Sequence, residues 1–258
     1  AGRRVYDEQL RVRLDRQMPE AREMGLDAGG WFSFALFKYD DPQGGRFRTL
    51  RQWQLRLWGS ANIRGVHRFY IRALGAWDDW NSGDNPGDVT EDSWTSPTIE
   101  RAWYQFDLGQ LLRNRTGKAP PVGLKLKVGR EFATMGTALV LATPLDMIQF
   151  DVSLPNWDLK AIVGMTVHDS RNIADDSQAI YRNNDRCIWG VEVAYTGLDR
   201  HRPFAYYLSN EDHTHPDWND PLQKYDYSSR YVGLGSEGTA FLPNLRYQTE
   251  LVGEWGRT

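Results

Sequence analysis

Basic side chains recur at alternate positions in several segments of this chain, and they are its best candidates for binding chemistry. Arginine binds carboxylates through paired hydrogen bonds, and rings of Arg and Lys select anions in pores. We therefore expect a path or site for anionic solutes, in which carboxylates such as Asp107, Glu192 and Glu250 pair with some of the cations. The alternative is purely structural: the charges pair across an interior and hold its shape. The candidate set is Arg56, Arg68, Arg72, Arg101, Lys125, Lys127, Arg130 and Glu131.

Signs of catalysis or of a cofactor are weak. The chain has no Gly-x-Ser-x-Gly elbow and no phosphate-binding loop. Cys187 is the single cysteine, which excludes an intrachain disulfide and a cysteine-based zinc site. Asp151 or Glu192 would suit a glycosidase acid, but the sequence pairs neither with a second carboxylate. We therefore predict no catalytic residue, no metal and no cofactor.

Two polar loops contain residue types that bind metals. Carboxylates are concentrated in Asp78–Asp92, and His213 and His215 are two residues apart. Calcium and zinc sites need a number and spacing of ligands that neither loop provides. We interpret both loops, together with Asp175 and Asp176, as solvated links.

Composition restricts the class of protein. The chain has 258 residues and a formal net charge of −3, which argues against nucleic-acid binding. Its mean hydropathy is −0.62, and it has no run of 18 apolar residues that would predict a membrane-spanning helix. A transmembrane β-barrel stays compatible with these values, because only alternate residues of its strands need to be apolar.

Alternation of apolar and polar residues defines the elements that position the basic set. In Thr49–Trp58, for example, Trp53, Leu55 and Leu57 alternate with Arg56 and two glutamines. Eleven such segments are predicted as strands, with no long helix among them. Residues 1–27 are predicted separately as an N-terminal helical arm or periplasmic segment, and residues 28–258 as the strands of the barrel. The predicted strands are 30–39, 49–58, 67–77, 100–108, 122–128, 148–154, 159–167, 187–195, 202–210, 228–236 and 245–255.

The alternation shifts near Gly129, where Arg130 and Glu131 follow four apolar positions spaced two residues apart, from Val122 to Val128. An extra residue in one strand of an antiparallel pair produces such a shift and re-aims side chains at barrel rims. We therefore predict a β-bulge at Arg130 and Glu131.

Strand length, links and aromatic residues favour a membrane barrel over a soluble sheet. Runs of roughly 9–11 residues match a strand that crosses a bilayer, whereas strands of soluble proteins average about 5–6 residues. Short turns such as Ser60–Arg64 contrast with long links at 78–97, 169–185 and 211–226. A soluble all-β carbohydrate-binding protein or glycoside hydrolase is the alternative. Aromatic residues near strand ends, as in interfacial girdles, are Trp53, Trp58, Trp77, Trp80, Trp189, Tyr195, Tyr247 and Trp255.

Three stretches resemble the alginate-export family of outer-membrane β-barrels. They are LRQWQLRLWGSANIRGVHRFYIRALGAWDDWNSGD, ERAWYQFDL and LKLKVGREFATMGTALVLATPLDMIQFDV. Within the third, Leu126–Glu131 is similar to the family's Gly-Arg-Gln region, with Glu131 at the position of the expected Gln. The resemblance spans residues 28–255.

This resemblance implies an 18-stranded porin of the bacterial outer membrane, in contact with the lipid bilayer and lipopolysaccharide. Such a porin passes an anionic polysaccharide or small anions by facilitated diffusion; the family is broad, so alginate itself is not identified as the solute. Because single-chain bacterial barrels have an even number of strands, eleven strands lead us to expect the N-terminal part of a longer barrel. A structural barrel that assembles with other envelope proteins is a further alternative.

Overall fold

The structure, a computed structural model, describes residues 12–13, 24–41, 46–84, 92–167, 186–213, 228–239 and 245–257. Twelve strands and one helix lie within these ranges. In chain order they are β1 (Val12–Arg13), β2 (Met24–Asp41), β3 (Arg46–Ile63), β4 (His67–Trp80), β5 (Asp92–Asp107), α1 (Leu108–Thr116), β6 (Gly123–Met135), β7 (Leu141–Ser153), β8 (Trp157–Thr166), β9 (Arg186–Tyr195), β10 (His201–Asp212), β11 (Ser228–Thr239) and β12 (Arg246–Arg257).

The predicted all-β fold is confirmed, and each of the eleven predicted strands corresponds to one of β2–β12. Several strands are longer than predicted, with 18 residues in each of β2 and β3. β2 begins at Met24, four residues before the predicted start of the strand region. Most of the predicted N-terminal arm lies outside the described residues; Val12–Arg13 form β1, which pairs with β2, and the arm's last four residues belong to β2 itself.

The strands form one antiparallel sheet in which spatial order follows chain order from β1 to β12. Among the described residues no pairing joins the two ends of this order, so the sheet is not closed into a barrel within the chain. In such a meander successive links lie at opposite ends of the strands. Short links at 154–156 and 196–200 therefore lie at one end of the later strands, and the turn at 136–140 lies at the other.

Helix α1 was not predicted from the sequence. Asp107 caps it by accepting a hydrogen bond from the backbone N–H of Gln110 at 2.8 Å. Gly117 ends it in the left-handed conformation, with φ of 71°. Only nine residues lie between these caps, so the segment is too short for an apolar periodicity to stand out.

The chain divides into two compact units. We call them the N-terminal unit, Gly2–Asn62 with Phe69–Ala102, and the C-terminal unit, Ile63–Arg68 with Trp103–Thr258. In both, one face of the strands carries large exposed hydrophobic side chains, and we name it the apolar face. The opposite face is the covered face.

On the apolar face of the C-terminal unit the hydrophobic side chains are aligned by the strand register. Val128 pairs with Ile148, Ile148 with Val163, and Val163 with Trp189. Each of these four side chains is about 40% exposed or more. In the N-terminal unit Leu57 is 57% exposed in the same way. The apolar stripe predicted from the sequence is therefore not packed into a core.

The covered face of the C-terminal unit holds the hydrophobic core. Met135 and Leu145 are fully buried, and Leu208 is 2% exposed. The other buried members are Ala133, Leu141, Met147, Ile162, Ile188, Ala194, Phe204 and Tyr206. One face of this unit is thus filled with side chains while the other leaves its hydrophobic residues uncovered.

The pairing of β6 with β7 shows no bulge at Arg130 and Glu131. Pairing of β6 with β7 runs one-to-one from Gly123 opposite Ser153 to Met135 opposite Leu141, with no extra residue. Gly129 has φ of 123°, a backbone conformation that glycine adopts readily, so the strand passes through without inserting a residue.

Candidate functional site

In the N-terminal unit two of the predicted basic residues converge on one carboxylate. Arg56 Nε lies 3.0 Å from Glu100 Oε1, and Arg72 Nε lies 2.8 Å from Glu100 Oε2. All three side chains are largely covered, with exposures between 11% and 21%. Because two cations face one anion, the group carries a formal charge of +1.

An aromatic ring and an amide complete this group. The guanidinium carbons of Arg56 and Arg72 lie 5.7 and 5.6 Å from the ring centroid of Trp31, within cation–π range. Arg56 also donates to the side-chain oxygen of Gln54 at 2.7 Å. A flat ring beside two guanidinium groups suits a ligand that has an apolar face and a negative group. We call Trp31, Gln54, Arg56, Arg72 and Glu100 the arginine pair site.

Two predicted lysines lie on the covered face of β6 in the C-terminal unit. Lys125 is opposite Asp151 in the register and lies 4.0 Å from the carboxylate of Asp107. Lys127 lies 4.9 Å from the ring centroid of Trp103. Lys125 is 48% exposed, so its charge is only loosely compensated.

Arg130 and Glu131 lie on opposite faces of β6. Arg130 alternates with exposed Val128 and makes two hydrogen bonds of 2.8 Å to Asp146, so it does not share the face of Lys125. Asp146 also lies on the apolar face, and its carboxylate balances the charge of Arg130. Glu131 accepts a hydrogen bond from the backbone N–H of Phe132 at 2.8 Å.

The two remaining predicted residues lie elsewhere on the strands. Arg68 is exposed on β4, and Arg101 is half-buried on β5. The structure therefore brings together Arg56 with Arg72, and places Lys125 and Lys127 on one strand face, but it does not join all eight residues in one site.

A second charged group, centred on buried Glu192, was only partly anticipated. Glu192 is 2% exposed and accepts hydrogen bonds from Arg202 at 3.0 Å and from Lys160 at 3.4 Å. Arg202 also bonds to Glu237 at 3.1 Å. The sequence marked Glu192 as an acid that pairs with cations, but neither of its partners belongs to the predicted basic set.

The carboxylate of Glu250 binds a distant turn. The backbone N–H of Thr137 donates to Glu250 Oε2 at 2.7 Å, the Thr137 hydroxyl bonds to the same oxygen, and Tyr206 donates to Oε1 at 2.5 Å. The backbone N–H of Gly136 donates to Glu192 at 2.9 Å. Adjacent amides of the β6–β7 turn, residues 136–140, are therefore held by carboxylates from β9 and β12.

These bonds show that the sheet of the C-terminal unit curls around its covered face. Six strand spacings separate β6 from β12, and at roughly 4.8 Å each they amount to about 29 Å along a flat sheet. A turn at the end of β6 reaches β12 only if the sheet bends toward its covered face. The sequence could not reveal this contact, because Thr137 and Glu250 are 113 residues apart.

A cavity of about 390 Å³ opens beside the N-terminal end of α1. Asp107, Arg113 and Lys125 supply its charged groups, and Pro120 and Pro155 form part of an apolar wall. The cavity lies at the end of the strands that carries the short 154–156 turn. It adds one cation, Arg113, that the sequence did not single out.

Metal chemistry has no candidate in the part of the chain that the structure describes. No group of three His, Cys, Asp or Glu side chains there is placed to hold an ion. Asp175, Asp176 and His215, which the sequence raised, lie outside the described residues. The one described helix is too short and too polar to cross a membrane.

Comparisons with known proteins add no assignment to this geometry. No family model matches the chain, and no curated protein matches it either. A function must therefore be inferred from the arrangement of side chains on the two faces.

Proposed function

We propose that the chain forms wall strands of an outer-membrane β-barrel that passes anionic solutes. The observation that carries the proposal is the apolar face: large hydrophobic side chains are exposed on one face of both units, and the charged groups around Glu100 and Glu192 lie on the other. Full burial of a large apolar side chain is worth about 1.5–3 kcal/mol. Exposed side chains such as Leu251 (75%) and Phe32 (63%) would gain much of this in lipid.

Aromatic residues at both ends of the apolar face support a bilayer. Tyr207 lies 5.3 Å from Trp189 and 6.4 Å from Trp255 by ring centroid, while Trp157 and Tyr195 lie 4.8 Å apart. Trp189 and Tyr195 are six residues apart on β9, which is about 20 Å at roughly 3.4 Å per residue. A lipid-facing band of about 25 Å between aromatic girdles is typical of outer-membrane barrels.

The Arg130–Asp146 ion pair fits the edge of such a band. Val128, Ile148 and Trp189 form one row across the strands. The ion pair belongs to the next row on the same face, two residues further along β6 and β7. At that depth the pair would meet lipid headgroups and water, where a charged group costs little.

Charge on the covered face supports an anionic solute. The arginine pair site has one more cation than anions, and Lys125, which is 48% exposed beside Asp107, and Lys127 are further cations on β6. Weak, repeated attraction of this kind lets a charged solute enter and also leave. An anionic sugar would use both the guanidinium groups and the ring of Trp31.

A structural barrel is the second candidate, and the filled covered face of the C-terminal unit favours it. Met135, Leu145 and Leu208 occupy space that a wide aqueous channel would leave open. Small barrels are commonly filled by side chains in this way. This candidate predicts folded, membrane-inserted protein that does not conduct.

A glycoside hydrolase is less well supported. Glu192 and Glu250 converge on the same turn, as paired catalytic acids would converge on a substrate. Their oxygens are, however, already bonded to the turn, to Tyr206 and to basic side chains. A hydrolase needs at least one of these carboxylates open to a sugar.

The test is reconstitution of the detergent-extracted protein in planar bilayers, with the ratio of anion to cation permeability as the readout. We expect anion preference in the parent and a ratio at least halved in an Arg56→Gln/Arg72→Gln variant, because the covered face then loses two positive charges. Arg115→Gln, on exposed α1, is the matched control. A protein that is soluble without detergent, or folded channels with no preference for anions, would contradict the proposal.

A further inference from the structure

The β6–β7 turn is placed on the covered face rather than extended beyond the strands. Two adjacent amides of the turn bond to Glu192 and Glu250, which belong to β9 and β12. A hairpin link of this length needs no partner outside its own two strands. The outside partners therefore serve a purpose other than closing the hairpin.

The backbone of the turn is built for this position. Ala138 has φ of 71°, an uncommon value for a residue with a Cβ atom, and its N–H bonds back to the carbonyl of Met135 at 3.0 Å. A Cβ atom at Gly136 would lie 2.7 Å from the ring of Tyr206 and 2.9 Å from Glu250 Oε1. Only glycine at this position lets the turn approach the covered face so closely.

The carboxylates that hold the turn keep other partners if it leaves. Glu192 retains Lys160 and Arg202, and Glu250 retains the hydroxyl of Tyr206. A buried carboxylate that lost every partner would oppose release strongly. Release of the turn would therefore break the bonds of the turn and still leave each carboxylate with a partner.

We propose that the β6–β7 turn is a latched plug that narrows the path along the covered face, with Glu192 and Glu250 as its latch. This inference rests on the proposed function, because a plug has meaning only where solutes pass. With the turn in place the path is restricted to small anions. With the turn released, larger solutes enter.

The test displaces the turn by adding a clashing atom. It measures hydrogen exchange at the turn and conductance in bilayers. Gly136→Ala adds the clashing Cβ atom, whereas Gly117→Ala is the control: Gly117 also has positive φ, but its Cβ would meet nothing within 4 Å. In detergent, we expect hydrogen exchange at residues 136–138 to be about tenfold faster in Gly136→Ala than in the parent and in Gly117→Ala. In bilayers, we expect its conductance to be at least about twofold higher.

The outcomes separate this inference from the proposed function. If Gly136→Ala loosens the turn but conductance stays at the value of a conducting parent, the plug is overturned and the porin stands. If exchange does not change, the latch is overturned. If parent and variant are both folded and neither conducts, both proposals fail. Should Gly136→Ala not fold, Thr137→Ala with Glu250→Ala removes both bonds between Thr137 and Glu250 without a clash, and the same outcomes apply.

Discussion

The two units use the same alternating pattern but treat charge on the covered face differently. In the N-terminal unit the carboxylate of Glu100 is about one-fifth exposed and faces two arginines beside a ring. In the C-terminal unit Glu192 is 2% exposed and lies among hydrophobic side chains. The difference teaches that alternation assigns a residue to a face, while curvature and side-chain size decide whether that face is open or filled.

Removal of the charge of Glu192 should cause the largest loss of stability and test the difference between the two units most directly. Glu192→Gln takes the buried carboxylate away from Lys160 and leaves Arg202 with Glu237 alone, so we expect a loss of about 3–5 kcal/mol in the free energy of unfolding. Urea unfolding in detergent micelles, followed by tryptophan fluorescence, measures it. Glu237→Gln is the control at a half-exposed partner of Arg202, with an expected loss below about 1 kcal/mol. Equal losses at both positions would contradict the contrast between buried and open charge.

Truncation of the core should come next. Met135→Ala leaves a cavity on the filled face, and we expect a loss of about 2–4 kcal/mol in the same unfolding assay. Leu57→Ala, on the apolar face of the N-terminal unit, removes a side chain that is 57% exposed. We expect it to cost at most about 1 kcal/mol. A larger loss for Leu57→Ala would mean that the apolar face is packed against protein.

Neutralisation of Glu100 in the arginine pair site should affect stability less than the two changes above and ion permeability more. We expect Glu100→Gln to lower the free energy of unfolding by about 1–2 kcal/mol, because the glutamine amide oxygen still accepts a hydrogen bond from Arg56 or Arg72. The same change frees two cations and should raise the ratio of anion to cation permeability about twofold. A falling ratio would exclude the arginine pair site from the solute path.

The smallest effect is expected at the ion pair on the apolar face. Asp146→Asn removes the carboxylate that binds Arg130, and an exposed pair of this kind contributes about 0.5 kcal/mol. Unfolding in detergent at low and high salt measures the change, which should shrink as salt screens the pair. A loss above about 2 kcal/mol would place the pair in a protein-covered environment instead.

Local patterns allowed the strands to be predicted, and spatial contacts limited the prediction of the site. Period-two alternation located β2–β12, because each strand has one face of consistent polarity. It also gave Arg56 and Arg72 a common face, but not their shared partner Glu100, which lies on another strand. Arg130 is two residues from Val128, so simple alternation predicts that it lies on the apolar face. The expected bulge led instead to its inclusion with the basic residues of the covered face.

The turn contacts lie beyond any such pattern. Glu192 and Glu250 meet Gly136 and Thr137 only because the sheet curls, and the separations of 56 and 113 residues leave no periodic signal. Helix α1 escaped prediction for a different reason, since its caps, Asp107 and Gly117, mark a helix of only nine residues. Capping residues alone predict a helix only weakly when no long apolar periodicity accompanies them and the rest of the chain is predicted as strands.

The meander order of the sheet also has a kinetic consequence. Each strand pairs with the next strand in the chain, so each pairing closes a loop of modest length. Hairpins can therefore form one after another with little loss of chain entropy at each step. The bond from Thr137 to Glu250 instead closes a loop of 113 residues and requires every strand between them to be in register. It should therefore form last during assembly, and its formation would report that the whole arc from β6 to β12 has reached its final register.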